Sequence, residues 1–113
     1  MEERKKVVLD ILERICNIQF QENVWVNHLY EDIIFSFGEA VNMLDDYFFF
    51  EDIKNGKIRF LDPINQDKLE NFAADIIAYD EPEIISFMLD DPEWTRICKE
   101  ACELVNSLKG IDF

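Results

Sequence analysis

Apolar residues recur three and four positions apart at Val8, Ile11, Leu12, Ile15 and Ile18, which predicts an amphipathic helix over residues 3–19. Glu2 and Glu3 suit the positive end of its dipole. The same period at Val26, Leu29, Ile33, Phe37, Ala40, Val41 and Leu44 predicts a helix from about 24 to 45. Gly38 lies inside that pattern, where glycine costs about 1 kcal/mol relative to alanine, so a bend or interruption is expected there. The pattern then changes. Residues 48–53 are aromatic-rich and residues 57–61 alternate, with Asn55-Gly56 between them. Asn-Gly between two such runs is the signature of a tight hairpin turn. The last half returns to the helical period. Leu69, Phe72, Ala73, Ile76 and Ile77 mark a helix over 66–79 with Asn65 as its N-cap. Pro82, behind the capping acid Glu81, opens a short helix to Leu89. Asp91-Pro92 opens a final helix to about Leu108, with Trp94, Ile97, Cys98, Ala101, Leu104, Val105 and Leu108 on its buried stripe and Gly110 as its C-cap.

These elements predict a mainly α fold: a compact four- or five-helix domain with one small β-hairpin near residues 48–61. A chain of 113 residues is one domain's length, and 49% hydrophobic residues supply a core, so residues 1–113 are read as a single helical domain. Met43-Leu44-Asp45-Asp46 recurs as Met88-Leu89-Asp90-Asp91, but two copies without a fixed period are two helix ends finishing in acids rather than a structural repeat.

Candidate chemistry changes this picture little. Cys16, Cys98 and Cys102 are odd in number and widely spaced, and no secretory leader is visible, so they are expected as reduced thiols. No tight Cys or His pair of the kind that holds zinc is present, so no metal and no cofactor is expected. A single histidine, His28, has no nucleophile at a supporting spacing, and no phosphate-cradling or nucleophile-elbow motif occurs. No catalytic residue is therefore assigned. The paired carboxylates Asp45-Asp46, Glu51-Asp52, Asp80-Glu81 and Asp90-Asp91 do not fit a calcium-loop spacing.

Charge changes it more. Lys and Arg number 11 against 25 Asp and Glu, a net −14. Such a field repels nucleic acid and anionic membranes. With no apolar run near the roughly 20 residues of a membrane span, a cytoplasmic location is expected. Residues 1–20 are neutral, residues 21–60 carry −5 and residues 61–113 carry −9. Between positions 80 and 93 lie Asp80, Glu81, Glu83, Asp90, Asp91 and Glu93 and no base; a second group, Asp45, Asp46, Glu51 and Asp52, brackets the aromatic run from Tyr47 to Phe50. Self-repulsion at this net charge destabilises a compact chain, so a basic partner is the expected reward for it. Tyr47, Tyr79 and Trp94 lie within or beside the acidic stretches, and aromatics are favoured interface anchors. One of Phe48, Phe49 and Phe50 is expected to meet solvent or a partner.

In size, acidity, Ile/Asn/Phe-rich composition and acid–aromatic clusters such as Asp90-Asp91-Pro92-Glu93-Trp94, the chain resembles the small immunity proteins of bacterial toxin systems, including those of contact-dependent growth inhibition. The resemblance implies a non-catalytic, monomeric protein that enters a hetero-complex with a toxin domain, often a nuclease, and blocks its basic active site. Expected partner-binding residues are Asp45, Asp46, Tyr47, Glu51, Asp52, Asp80, Glu81, Glu83, Asp90, Asp91, Glu93 and Trp94. The alternative is a phage-type anti-defence protein or nucleic-acid mimic that occupies a DNA- or RNA-binding channel. A third reading is a helical adaptor that recognises its partner through residues 47–50.

Overall fold

The last helix organises the molecule. In the computed structural model, which describes residues 2–23, 37–82, 85–111 and 113, the segment Pro92–Leu108 packs against both the first helix and the long helix Pro63–Ala78. Seven helices occur among the described residues: α1 (Glu2–Cys16), α2 (Ile18–Gln21), α3 (Phe37–Asp46), α4 (Phe49–Lys54), α5 (Pro63–Ala78), α6 (Ile85–Leu89) and α7 (Pro92–Leu108). The Cα radius of gyration, 13.9 Å, matches the roughly 13 Å of a compact domain of this size.

α7 forms as its sequence predicts. Asp91 accepts the Glu93 backbone N–H at 3.0 Å, Pro92 occupies the first turn, where no amide partner is needed, and all seven stripe residues are buried. Trp94 is fully buried and edge-on to Phe37, with ring centroids 5.3 Å apart. Its indole N–H donates to Gln21 Oε1 at 2.9 Å. Gln21 is itself fully buried at the end of α2, and its amide donates to the carbonyls of Ile15 (2.6 Å) and Arg14 (3.1 Å). One side chain thereby satisfies the end of α1 and ties it to α7.

A second tie was not expected. Cys16 and Cys102 form a disulfide, which joins α1 to α7 across 86 residues of sequence, in place of two reduced thiols. Sequence spacing carries no information about such a distant pair; the packing of α1 on α7 creates it. Cys98 remains a free thiol, buried as a small apolar residue, and burial pushes its pKa up to about 11. A third tie is polar: Lys5 donates to the carbonyls of Lys109 (3.1 Å) and Ile111 (2.7 Å), just past the negative end of α7.

The hairpin is absent. Residues 48–61 contain no strand; they hold α4 and an irregular connection. Gly56 does take a positive φ (+77°), but Asn55 does not, at −88°. The Gly56 N–H bonds to Ile53 O (3.2 Å) and the Lys57 N–H to Asp52 O (2.8 Å), the paired bonds of a Schellman cap. Asn-Gly thus ends a helix instead of turning a ribbon. Phe49 and Ile53 are buried one helical turn apart, a spacing that favours helix once α5 offers them a surface.

Other boundaries shift. α1 stops at Cys16 rather than residue 19, because Asn17 starts α2 by accepting the Phe20 N–H at 3.0 Å. α5 begins three residues before expectation: Asp62 is its cap, accepting the Asn65 N–H at 2.9 Å, and Pro63 leads the first turn. That bond holds the Asp62 carboxyl below its usual pKa. Glu81 and Pro82 are not helical, and α6 is described only from Ile85. Gly38 sits in the first turn of α3 without breaking it. Of the helix expected over 24–45, residues 24–36 lie outside the described residues, and His28 with them.

Candidate protein-interaction surface

The corner between α3 and α4 breaks three local rules at once. α3 ends in Asp45-Asp46 with no base in its last turn, so two exposed carboxylates stand at the negative end of the helix dipole. Phe48, which follows, has φ +61° and ψ +25°, the left-handed region, where a side chain other than glycine costs about 1–2 kcal/mol. Phe48 is also 57% exposed, so its own partial burial, about 1 kcal/mol, offsets only part of that cost. The reversal has a structural use. It sends Phe49 into the core while Phe50 stacks edge-on to it at 5.5 Å and remains half-buried. Of the three phenylalanines, the one that meets solvent is Phe48. Tyr47 beside it is 37% exposed.

Two hollows flank this corner. Glu3, Arg4, Asp46, Tyr47 and Phe48 line one of about 330 Å³, against α1. The other, about 500 Å³, runs between α4 and α5; its floor is Phe50, Ile53, Ala73, Ala74 and Ile77. Asp45, Glu51 and Glu70 stand around it, with Lys54 as the one base. Asp45 and Asp46 therefore look into different hollows from adjacent positions.

The expected partner-binding residues divide under this geometry. Asp45, Asp46, Tyr47 and Glu51 are exposed around the corner. Asp52 is not available to a partner: it is buried and ion-paired to Arg4 at 2.6 Å, tying α4 to α1. Trp94 is likewise withdrawn, since its indole is wholly enclosed and bonded to Gln21. Asp91 is occupied by capping α7 and by accepting the Tyr79 hydroxyl at 2.8 Å. Burial and that bond raise the Tyr79 pKa above its ordinary value, so the phenol stays a donor. Glu93 is exposed but pairs with Arg96 at 3.2 Å. Asp80, Glu81 and Asp90 are exposed, and Glu83 lies outside the described residues. Among the described residues, Asp45, Asp46, Glu51, Asp80, Glu81 and Asp90 take part in no ion pair.

A further acidic group lies between α5 and α7. Arg96 bridges Asp75 (2.7 Å), Glu100 (3.0 Å) and Glu93. Partial burial and the neighbouring Asp75 carboxyl push the Glu100 pKa up to about 7, against the pull of Arg96. Its guanidinium is consumed internally, so this group reads as a seam rather than a site.

Sequence reasoning missed Glu70 and Ile77, and left open which of Phe48, Phe49 and Phe50 meets solvent. Ile77 carried a signal: at about 100° per residue it falls outside the arc spanned by Leu69, Phe72, Ala73 and Ile76, and it is 59% exposed. Among the described residues, no three Cys, Asp or Glu side chains converge to hold a metal ion, and no helix is long and apolar enough to cross a membrane. No family model matches the chain, and no curated protein or solved structure shows significant similarity to it.

Proposed function

We propose that this chain is a non-catalytic binding protein that docks on a basic protein partner and neutralises it, in the manner of the immunity proteins of bacterial toxin systems. The carrying observation is the α3–α4 corner, where the exposed Tyr47 and Phe48, the latter in the left-handed region, stand beside carboxylates at the wrong end of a helix. The positive φ at Phe48 serves the fold by turning Phe49 into the core, but the exposure of Tyr47 and Phe48 beside unpaired carboxylates serves no contact among the described residues, and that exposure supports a role in binding. Unpaired surface carboxylates raise the encounter rate with a basic partner by about 10- to 1000-fold, and aromatics such as Tyr47 and Phe48 supply contact area that slows dissociation. A toxin whose active site binds phosphate is basic for that reason, so the same carboxylates occupy it in place of nucleic acid.

The proposed setting is the cytoplasm, where glutathione keeps most thiols reduced. The Cys16–Cys102 bridge would stand there against that reducing pool, and alkylation with mass spectrometry of protein isolated from its host reads whether it persists.

The test is capture from the native host at low ionic strength with cross-linking, identification of the partner by mass spectrometry, and reconstitution of the purified pair. The expected result is a partner with a basic surface, inhibited at one-to-one stoichiometry, whose association slows steeply with salt. A neutral or acidic partner, or one fully active under saturating amounts of this protein, overturns the proposal.

A further inference from the structure

We infer that the groove between α4 and α5 receives a helical segment of the partner that presents an apolar face flanked by lysine or arginine. This rests on the reading of the chain as a binder of a basic protein, and names the site and the kind of segment that enters it. The groove's floor is apolar and open: Ile77 is 59% exposed at one end, and Ala74, an exposed residue on α5, leaves room for another backbone to approach. The volume of about 500 Å³ accommodates a few aliphatic side chains rather than a whole domain face. α5 has 16 residues and is therefore about 24 Å long, enough to lie alongside four turns of a second helix.

Two features choose the occupant. The groove is walled by helices, so it offers no sheet edge for an extended peptide to join, and an amphipathic segment fits it by the helix-in-groove mode. The rim is charged in one sense: Asp45, Glu51 and Glu70 outnumber Lys54 three to one. A second copy of this chain brings its own net −14 to that rim and is repelled. A basic amphipathic helix satisfies floor and rim together.

The probe is a 14-residue amidated peptide of leucine and lysine with leucines at helical spacing. It is compared with a lysine–serine peptide of equal charge and a leucine–glutamate peptide of equal apolarity. Binding is followed by two-dimensional ¹⁵N NMR of the whole protein. The leucine–lysine peptide is expected to shift the amides of Phe50, Ala74 and Ile77, and neither control is expected to do so. Ile77→Ser, at an exposed position that leaves the fold intact, weakens it at least fivefold, and Asp45→Lys with Glu70→Lys at least tenfold at low salt. Circular dichroism of each variant confirms folding. Shifts on another face, equal binding of the lysine–serine peptide, an unaltered affinity in Ile77→Ser, or sedimentation showing a dimer through this face each overturns the inference. With the natural partner, groove variants that bind normally while Phe48→Gly binds weakly remove the groove and leave the reading of the corner standing. Normal binding in both sets removes the reading itself.

Discussion

The α1–α7 seam and the α3–α4 corner are built on opposite terms. In the seam, local and tertiary preferences agree: a capped helix places an unbroken apolar stripe against α1, and Gln21, Lys5 and the disulfide each join the two sides. Two bases of α1 are used within the fold, Arg4 on Asp52 and Lys5 on the end of α7. In the corner, helix dipole and aromatic exposure run against stability, and the left-handed Phe48 is tolerated because it turns Phe49 into the core. The seam concentrates the chain's stability, whereas the corner leaves acids and aromatics open, as the proposed recognition requires.

Breaking the seam has the largest expected effect. Trp94→Ala leaves a cavity and strips Gln21 of its indole donor, for a loss of about 5 kcal/mol; urea unfolding followed by circular dichroism reads it. Opening the Cys16–Cys102 bridge, by dithiothreitol or by paired Cys→Ser substitutions, removes a constraint across 86 residues, worth about 4.6 kcal/mol in the chain-entropy account. The same urea titration with and without reductant measures it, and the Ser variant is expected to show no further response to reductant.

A smaller effect sharpens the seam between α5 and α7. Glu100 has a folded pKa of about 7, above its ordinary 4.5, so its protonated form favours the folded state. That contribution is complete below about pH 4.5 and is lost as pH rises through 7. Glu100→Gln, facing the same Asp75 and Arg96, is expected to flatten the dependence of the urea midpoint between pH 5 and 8. At the corner the expected change is close to zero. Phe48→Gly relieves the left-handed strain of about 1–2 kcal/mol, but gives up about 1 kcal/mol of partial burial and loses about 0.5–1 kcal/mol to the entropy of glycine in the unfolded chain. A nearly unchanged urea midpoint is the expected result, whereas a loss above about 1 kcal/mol assigns Phe48 to the core.

The seam was the legible half. Asp91-Pro92 and seven apolar residues at helical spacing fixed α7, since cap, proline and stripe all say the same thing. Gln21 was not legible, because a polar residue between stripes carries no mark of burial. The disulfide was not, because it follows from tertiary packing alone. At the corner the acids and aromatics were visible as composition, but not their geometry. Asn-Gly serves a hairpin turn and a helix cap equally well, and the run from Phe49 to Ile53 satisfies both periods. Nothing in a phenylalanine announces a positive φ; the burial of Phe49 imposes it on Phe48.

The exposed aromatics and acids of the corner are proposed to be held open for a partner. Surface plasmon resonance on the reconstituted pair, comparing wild type with Phe48→Gly, reads this. The variant, folded and of similar stability, is expected to release its partner at least tenfold faster with association nearly unchanged. Dissociation at the wild-type rate would contradict the proposal.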